Sequence, residues 1–214
     1  IHAGTSRGVA EYTFVPDDDS DGVPGAVEDA APHGGDGNQD GVPDSVQPQV
    51  ASLPGIAAPG GRGNPWVTLW VEQVREGSCA RINNMQVVDA VTLPLDQARG
   101  PAPTAYADGV LRFDLPDCQR ARLHARFHGA DHTPTGFGWR NYGPELPGVD
   151  ASVRWYDFAA ATRIAPDTWA LELDSSAQGN YRDDPEVISF VGGVGFLDLH
   201  LFGNGFEAES DPAR

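Results

Sequence analysis

Two short stretches near the start of the chain carry residues whose types and spacing can hold a metal ion. Asp17-Asp18-Asp19-Ser20-Asp21-Gly22 and Asp36-Gly37-Asn38-Gln39-Asp40-Gly41 both follow D-x-[DN]-x-D-G. In that pattern oxygens at positions one, three and five converge on a calcium ion. Glycine at six allows a sharp turn, and the carbonyl at seven adds a ligand. The first loop therefore offers Asp17, Asp19, Asp21 and the carbonyl of Val23, with Glu28 at position twelve to close the site. The second offers Asp36, Asn38, Asp40, the carbonyl of Val42 and, at position nine, Asp44, while Gln47 stands at twelve. Its lower charge predicts a weaker site. Both loops run on into Val-Pro, and this near repeat distinguishes them from a solvated acidic linker.

The elements around the loops do not read as an EF-hand. Val9–Val15 alternates like a strand, and Pro24 would break an entering helix. A short helix is expected from Asp44 to Leu53 with Asp44 as its N-cap, then a Gly/Pro loop from Pro54 to Pro65. Beyond it the texture is β throughout, with strands expected over Trp66–Val74, Cys79–Val88, Gly109–Leu115, Arg120–His128, Ser152–Ala160, Thr168–Asp174, Glu186–Val191 and Phe196–Phe202. The expected fold is all-β: an antiparallel β-sandwich preceded by an N-terminal strand and a calcium-binding loop segment. The domain reading is 1–16 N-terminal strand, 17–54 calcium segment, 55–207 sandwich and 208–214 tail.

Composition narrows the partners. A net charge of -17 and a sequence pI near 4.4 argue against nucleic acid and anionic membrane surfaces. All 14 basic residues are arginine, which removes Schiff-base and P-loop lysine chemistry. Calcium sites of modest affinity suit an extracellular setting, so Cys79 and Cys118 are expected to form one disulfide, contributing roughly 4 kcal/mol on the chain-entropy model. With no apolar run of membrane-spanning length and no leader at Ile1, the chain is expected to be a mature secreted protein without membrane insertion.

Other groupings favour blander readings. His124 and His128, with Asp131 and His132, suggest a metal cluster only if the alternating strand they occupy brought them together, and its rise separates them. Asp174, Asp183 and Asp184 read as a solvated acidic loop. No G-x-S-x-G elbow is present, and no catalytic residue is nominated. Trp139, Tyr142, Trp155 and Tyr156 read as core before sugar platform.

Several landmarks together resemble the bacterial choice-of-anchor U domain. They are Gly37 to Gln47 followed by Val50-Ala51-Ser52-Leu53-Pro54, the Gly109–Leu115 strand ahead of Cys118, Trp155-Tyr156-Asp157-Phe158, and Leu171-Glu172-Leu173-Asp174 leading to Ile188 and Gly192-Gly193. The acidic loops also look like thrombospondin type 3 calcium repeats. The resemblance implies an exported, non-enzymatic surface module with Ca2+ as its cofactor. The expected function is a calcium-stabilised structural subunit of a surface filament, a homo-oligomer joined by addition of Val9–Val15 or Phe196–Phe202 to a sheet edge. The rivals are a monomeric adhesin or carbohydrate-binding module for a surface glycan or host surface, and an accessory domain of a secreted hydrolase.

Overall fold

The computed structural model describes residues 15–56, 65–72, 79–96, 104–181 and 186–196. Ten strands form two antiparallel five-stranded sheets packed face to face. One sheet takes the order β1 (Val50–Pro54), β2 (Trp66–Val71), β5 (Arg120–Phe127), β9 (Thr168–Asp174), β8 (Ala161–Ala165). The other takes β3 (Asn83–Val88), β4 (Val110–Pro116), β10 (Val187–Phe196), β6 (Phe137–Leu146), β7 (Asp150–Asp157). Alternation along the strands builds the core between them. Leu69, Leu123, Phe127 and Leu171 from one sheet meet Phe113, Leu115, Trp139 and Phe190 from the other, with Phe113 stacked on Phe190 at 4.9 Å. Cys79 and Cys118 are joined by a disulfide that ties the entry to β3 to the turn after β4.

Three sequence expectations are corrected. No helix runs from Asp44 to Leu53; a single 3-10 turn over Asp44–Val46 gives way to β1, and the Asp44 side chain makes no cap bond. Val50-Ala51-Ser52-Leu53 is buried on both sides of the strand at Val50, Ala51 and Ser52, so its pattern mimicked a buried helix. The stretch Phe137–Leu146, absent from the expected strands, is a ten-residue strand. Likewise β10 runs unbroken through Gly192-Gly193-Val194-Gly195. Its glycines mark close approach: a Cβ on Gly192 would overlap Asn141, and one on Gly195 would overlap Thr104. The expected strand over 9–15 lies outside the described residues apart from Val15, and Phe196–Phe202 does so apart from Phe196.

The acidic segment packs along one side of the sandwich, where β1 and β3 are the edges of their sheets. Val23 and Val27 enter the core there. Met85 of β3 donates its backbone N–H to the Asp21 carbonyl at 3.0 Å. Ser52 of β1 donates its backbone N–H to Glu28 Oε1 at 3.1 Å. Gly22 lies so close to Asn84 that a Cβ would sit 2.9 Å from its Cα. Both edges are thereby covered by the chain's own acidic loop.

On the outer face of the second sheet, Arg140 is 1% exposed and grips Asp96 through two bonds of 2.8 and 2.7 Å. Tyr106 donates to the same carboxylate at 2.8 Å. Removing one member of such a pair leaves the other buried without compensation. Asp96→Ala should lower stability in urea denaturation by about 3–5 kcal/mol, because only Asp157, largely in solvent, remains on the guanidinium.

Candidate metal centre

The two loops follow one backbone path. At position one, Asp17 Oδ2 accepts from the Gly22 N–H at 3.1 Å and Asp36 Oδ2 from the Gly41 N–H at 3.0 Å. At position five, Asp21 Oδ1 accepts from Val23 N–H at 2.6 Å and Asp40 Oδ1 from Val42 N–H at 2.9 Å. Position four is left-handed in both, Ser20 at φ 67° and Gln39 at φ 64°, and the glycines at six have φ 100° and 92°. These bonds fix the orientation of the position-one and position-five carboxylates in both loops.

What the oxygens then meet differs sharply. In the first loop, ligand atoms of Asp17, Asp19 and Asp21 lie within 4.8 Å of one another. Both oxygens of Asp19, Oδ2 of Asp21 and Oε2 of Glu28 are shut away from solvent with no hydrogen-bond partner. Asp21 and Glu28 are 0% exposed. Burial, reinforced by the neighbouring carboxylates, pushes Asp19 up to about 6, Asp21 to about 7 and Glu28 to about 9. Such oxygens call for a proton or a cation, and a hard divalent ion suits a set made only of oxygen. Asp17, Asp19, Asp21 and Glu28 would hold it.

The second loop satisfies itself. Asn38 Nδ2 donates to Asp40 Oδ2 at 3.1 Å. Gln47 Nε2 donates to Asp40 Oδ1 at 3.2 Å and to the Val42 carbonyl at 3.1 Å, while its Oε1 accepts from Gln49 at 2.9 Å. Asp44 lies between the loops. Its Oδ2 accepts from the Gly37 N–H at 2.8 Å and from Ser52 Oγ at 2.5 Å, and its buried Oδ1 has no partner. Burial raises its pKa above the usual carboxylate range. A Cβ on Gly37 would overlap Thr68 and Ser52, so only glycine lets the loop sit this close to the sheet.

From Asp44 a hydrogen-bonded chain runs through Ser52 Oγ to Thr68 Oγ1 at 2.6 Å and on to His128 Nε2 at 2.8 Å. Ser52 gives its one proton to Asp44, so Thr68 donates to Ser52 and must accept from His128, whose Nε2 carries the hydrogen. Ser52 and Thr68 are paired across β1 and β2 and fully buried under the loop. Sequence reasoning missed both; the one available signal was a hydroxyl residue inside each apolar strand.

The remaining candidates scatter. His124 stacks on Trp70 at 4.9 Å and bonds Glu72, whereas His132 is buried between Asp108 and Trp169. With His128 at the end of the Asp44 chain, the three histidines form no common site. Asp174 is taken up by Ser176 and Arg120, and Asp183 and Asp184 lie outside the described residues. Trp139, Trp155 and Tyr156 are buried. Half-buried Tyr142 instead lines a cleft of about 250 Å³ with Tyr181, Arg112, Leu93 and Ser189.

Fold and site together define an antiparallel β-sandwich with a candidate divalent-cation site in its edge-covering segment. Comparison with known proteins gives no match among family models, curated proteins or solved structures.

Burial, with the charges of Arg126 and His33, pushes His128 down to about 4 from the ordinary 6.5. Between those values the unfolded chain takes up a proton that the folded chain refuses, so stability falls as pH drops from about 6.5 toward 4. In calcium-saturated buffer, His128→Gln should flatten that limb of a plot of Tm against pH while leaving the difference constant above neutrality.

Proposed function

We propose that this chain is an exported, calcium-stabilised structural module of a bacterial surface, scaffold rather than catalyst. The observation that carries the reading is the set of buried, unpartnered oxygens on Asp19, Asp21 and Glu28, in the segment that covers the edges of β1 and β3. A cation there neutralises them and locks the segment down, so binding free energy becomes fold stability. The disulfide fits an oxidising compartment, as does the likeness to choice-of-anchor U domains.

For a filament, an added strand must find a free edge. β1 and β3 are covered by the acidic segment, and among the described residues β7 and β8 end their sheets without a further strand. Val153 on β7 and Ile164 on β8 are exposed apolar residues suited to meet an incoming strand from a neighbouring subunit.

Exchange into EDTA should lower Tm by about 5–10 °C. An ion held at a hundred times its Kd contributes about 2.7 kcal/mol, and a domain of this size shifts roughly 2–4 °C per kcal/mol. Calorimetry with and without chelator measures this, and an unchanged melt would overturn the reading.

The cleft beside Tyr142 favours a second reading, a glycan-binding module. The Arg112 side chain makes no ion pair or hydrogen bond among the described residues, and it shares the cleft with Tyr142 and Tyr181, whose ring centroids lie 6.3 Å apart. On this reading Tyr142→Ala should abolish binding on a glycan array without changing Tm in calcium; an array with no bound glycan removes it.

A further inference from the structure

We propose that the acidic segment takes a single divalent cation, in its first loop, and that the amides of Asn38 and Gln47 hold the second loop closed without metal. The inference rests on the calcium reading of the first loop and deepens it.

With the backbones alike, the side chains decide. The first loop presents four carboxylates at positions one, three, five and twelve: Asp17, Asp19, Asp21 and Glu28. At those four positions the second presents two, Asp36 and Asp40, with amides at three and twelve, and a third carboxylate, Asp44, stands at nine. Both amides donate to Asp40: Asn38 to one oxygen at 3.1 Å, Gln47 to the other at 3.2 Å. Gln47 also donates to the Val42 carbonyl, the ligand of position seven. The N–H groups thus occupy the directions in which a cation would sit. To admit one, Gln47 must turn its amide, losing its bonds to Asp40, Val42 and Gln49, for a site of lower charge.

Exposure points the same way. Asp40 lies open to solvent, whereas Asp21 and Glu28 are wholly buried. Water can hydrate what remains of the second loop's charge but cannot reach the first loop's. The second loop is then a permanent template, docked through Asp44 and Ser52, and the first is the part that responds to calcium. Asp44 Oδ1 is the one orphaned oxygen on the second loop's side, and it is the atom a second ion would recruit.

Native mass spectrometry of the full chain titrated with calcium chloride decides between them. One ion per chain is expected. No ion would overturn the calcium reading itself; two would overturn only the present inference. Restoring the carboxylates with Asn38→Asp plus Gln47→Glu should raise the count from one to two, and a count fixed at one would refute the role given to the amides. Glu28→Gln reverses the design by giving the first loop the second loop's amide. It should weaken calcium binding by more than about tenfold and yet melt in EDTA no lower than the unaltered chain in EDTA. A lower melt would mean that an amide cannot substitute for the ion.

Discussion

Buried carboxylate oxygens of Asp19, Asp21 and Glu28 that find no donor impose the constraint around which this molecule is arranged. Desolvation alone disfavours their charged form, and crowding Asp17, Asp19 and Asp21 within 4.8 Å compounds it. Yet the backbone that carries them also covers the edges of two sheets. Asp21 accepts from β3, Glu28 accepts from β1, and Val23 fills the core between. The segment cannot expose its acids to water without releasing those edges. Charge compensation at the loop and closure of the sandwich are therefore one equilibrium.

The same chain shows the other solution to buried charge. Arg140 and Asp96 are as deeply enclosed as Glu28, but each is the other's counter-ion, and Tyr106 completes the set. The counter-charge there is internal, and the pair fixes a loop on the outer face. The first acidic loop contains no basic residue and none reaches it among the described residues. Its buried carboxylates call instead for a proton or a cation. Where the protein supplies its own partner the contact is constitutive; where it withholds one, the contact becomes conditional.

Most of the body was legible because alternation is a local signal. Leu111-Arg112-Phe113-Asp114-Leu115 alternates cleanly and forms β4 with Leu111, Phe113 and Leu115 buried. Legibility failed where the burial pattern was set by distant partners. Ser52 and Thr68 lie on an outward face, and only the acidic segment, docked over them, makes them interior. Glycines 192, 193 and 195 signal a turn locally, whereas their real cause is the close approach of Asn141, Gly109 and Thr104 from other elements. At the site, the spacing singled out Asp17, Asp19 and Asp21, whose ligand atoms the fold gathers within 4.8 Å. It gave no sign that Asn38 and Gln47 would point donors at Asp40, since an amide can face either way and its neighbours decide which.

The chain from Asp44 to His128 gives the loops a route into the sheet. Each hydroxyl in it has one proton to give, so the direction of every bond follows from the carboxylate at the start. Reorienting Asp44 would require Ser52, Thr68 and the His128 tautomer to adjust in turn, across β1, β2 and the end of β5. A surface loop tethered by apolar contact alone could slide; one tethered by an ordered donor chain has a single register. That register also holds Gly37 against Thr68, where no other residue fits. Because Ser52 also donates its backbone N–H to Glu28, the two loops are bridged by a single residue, with its hydroxyl on Asp44 of the second and its backbone on Glu28 of the first.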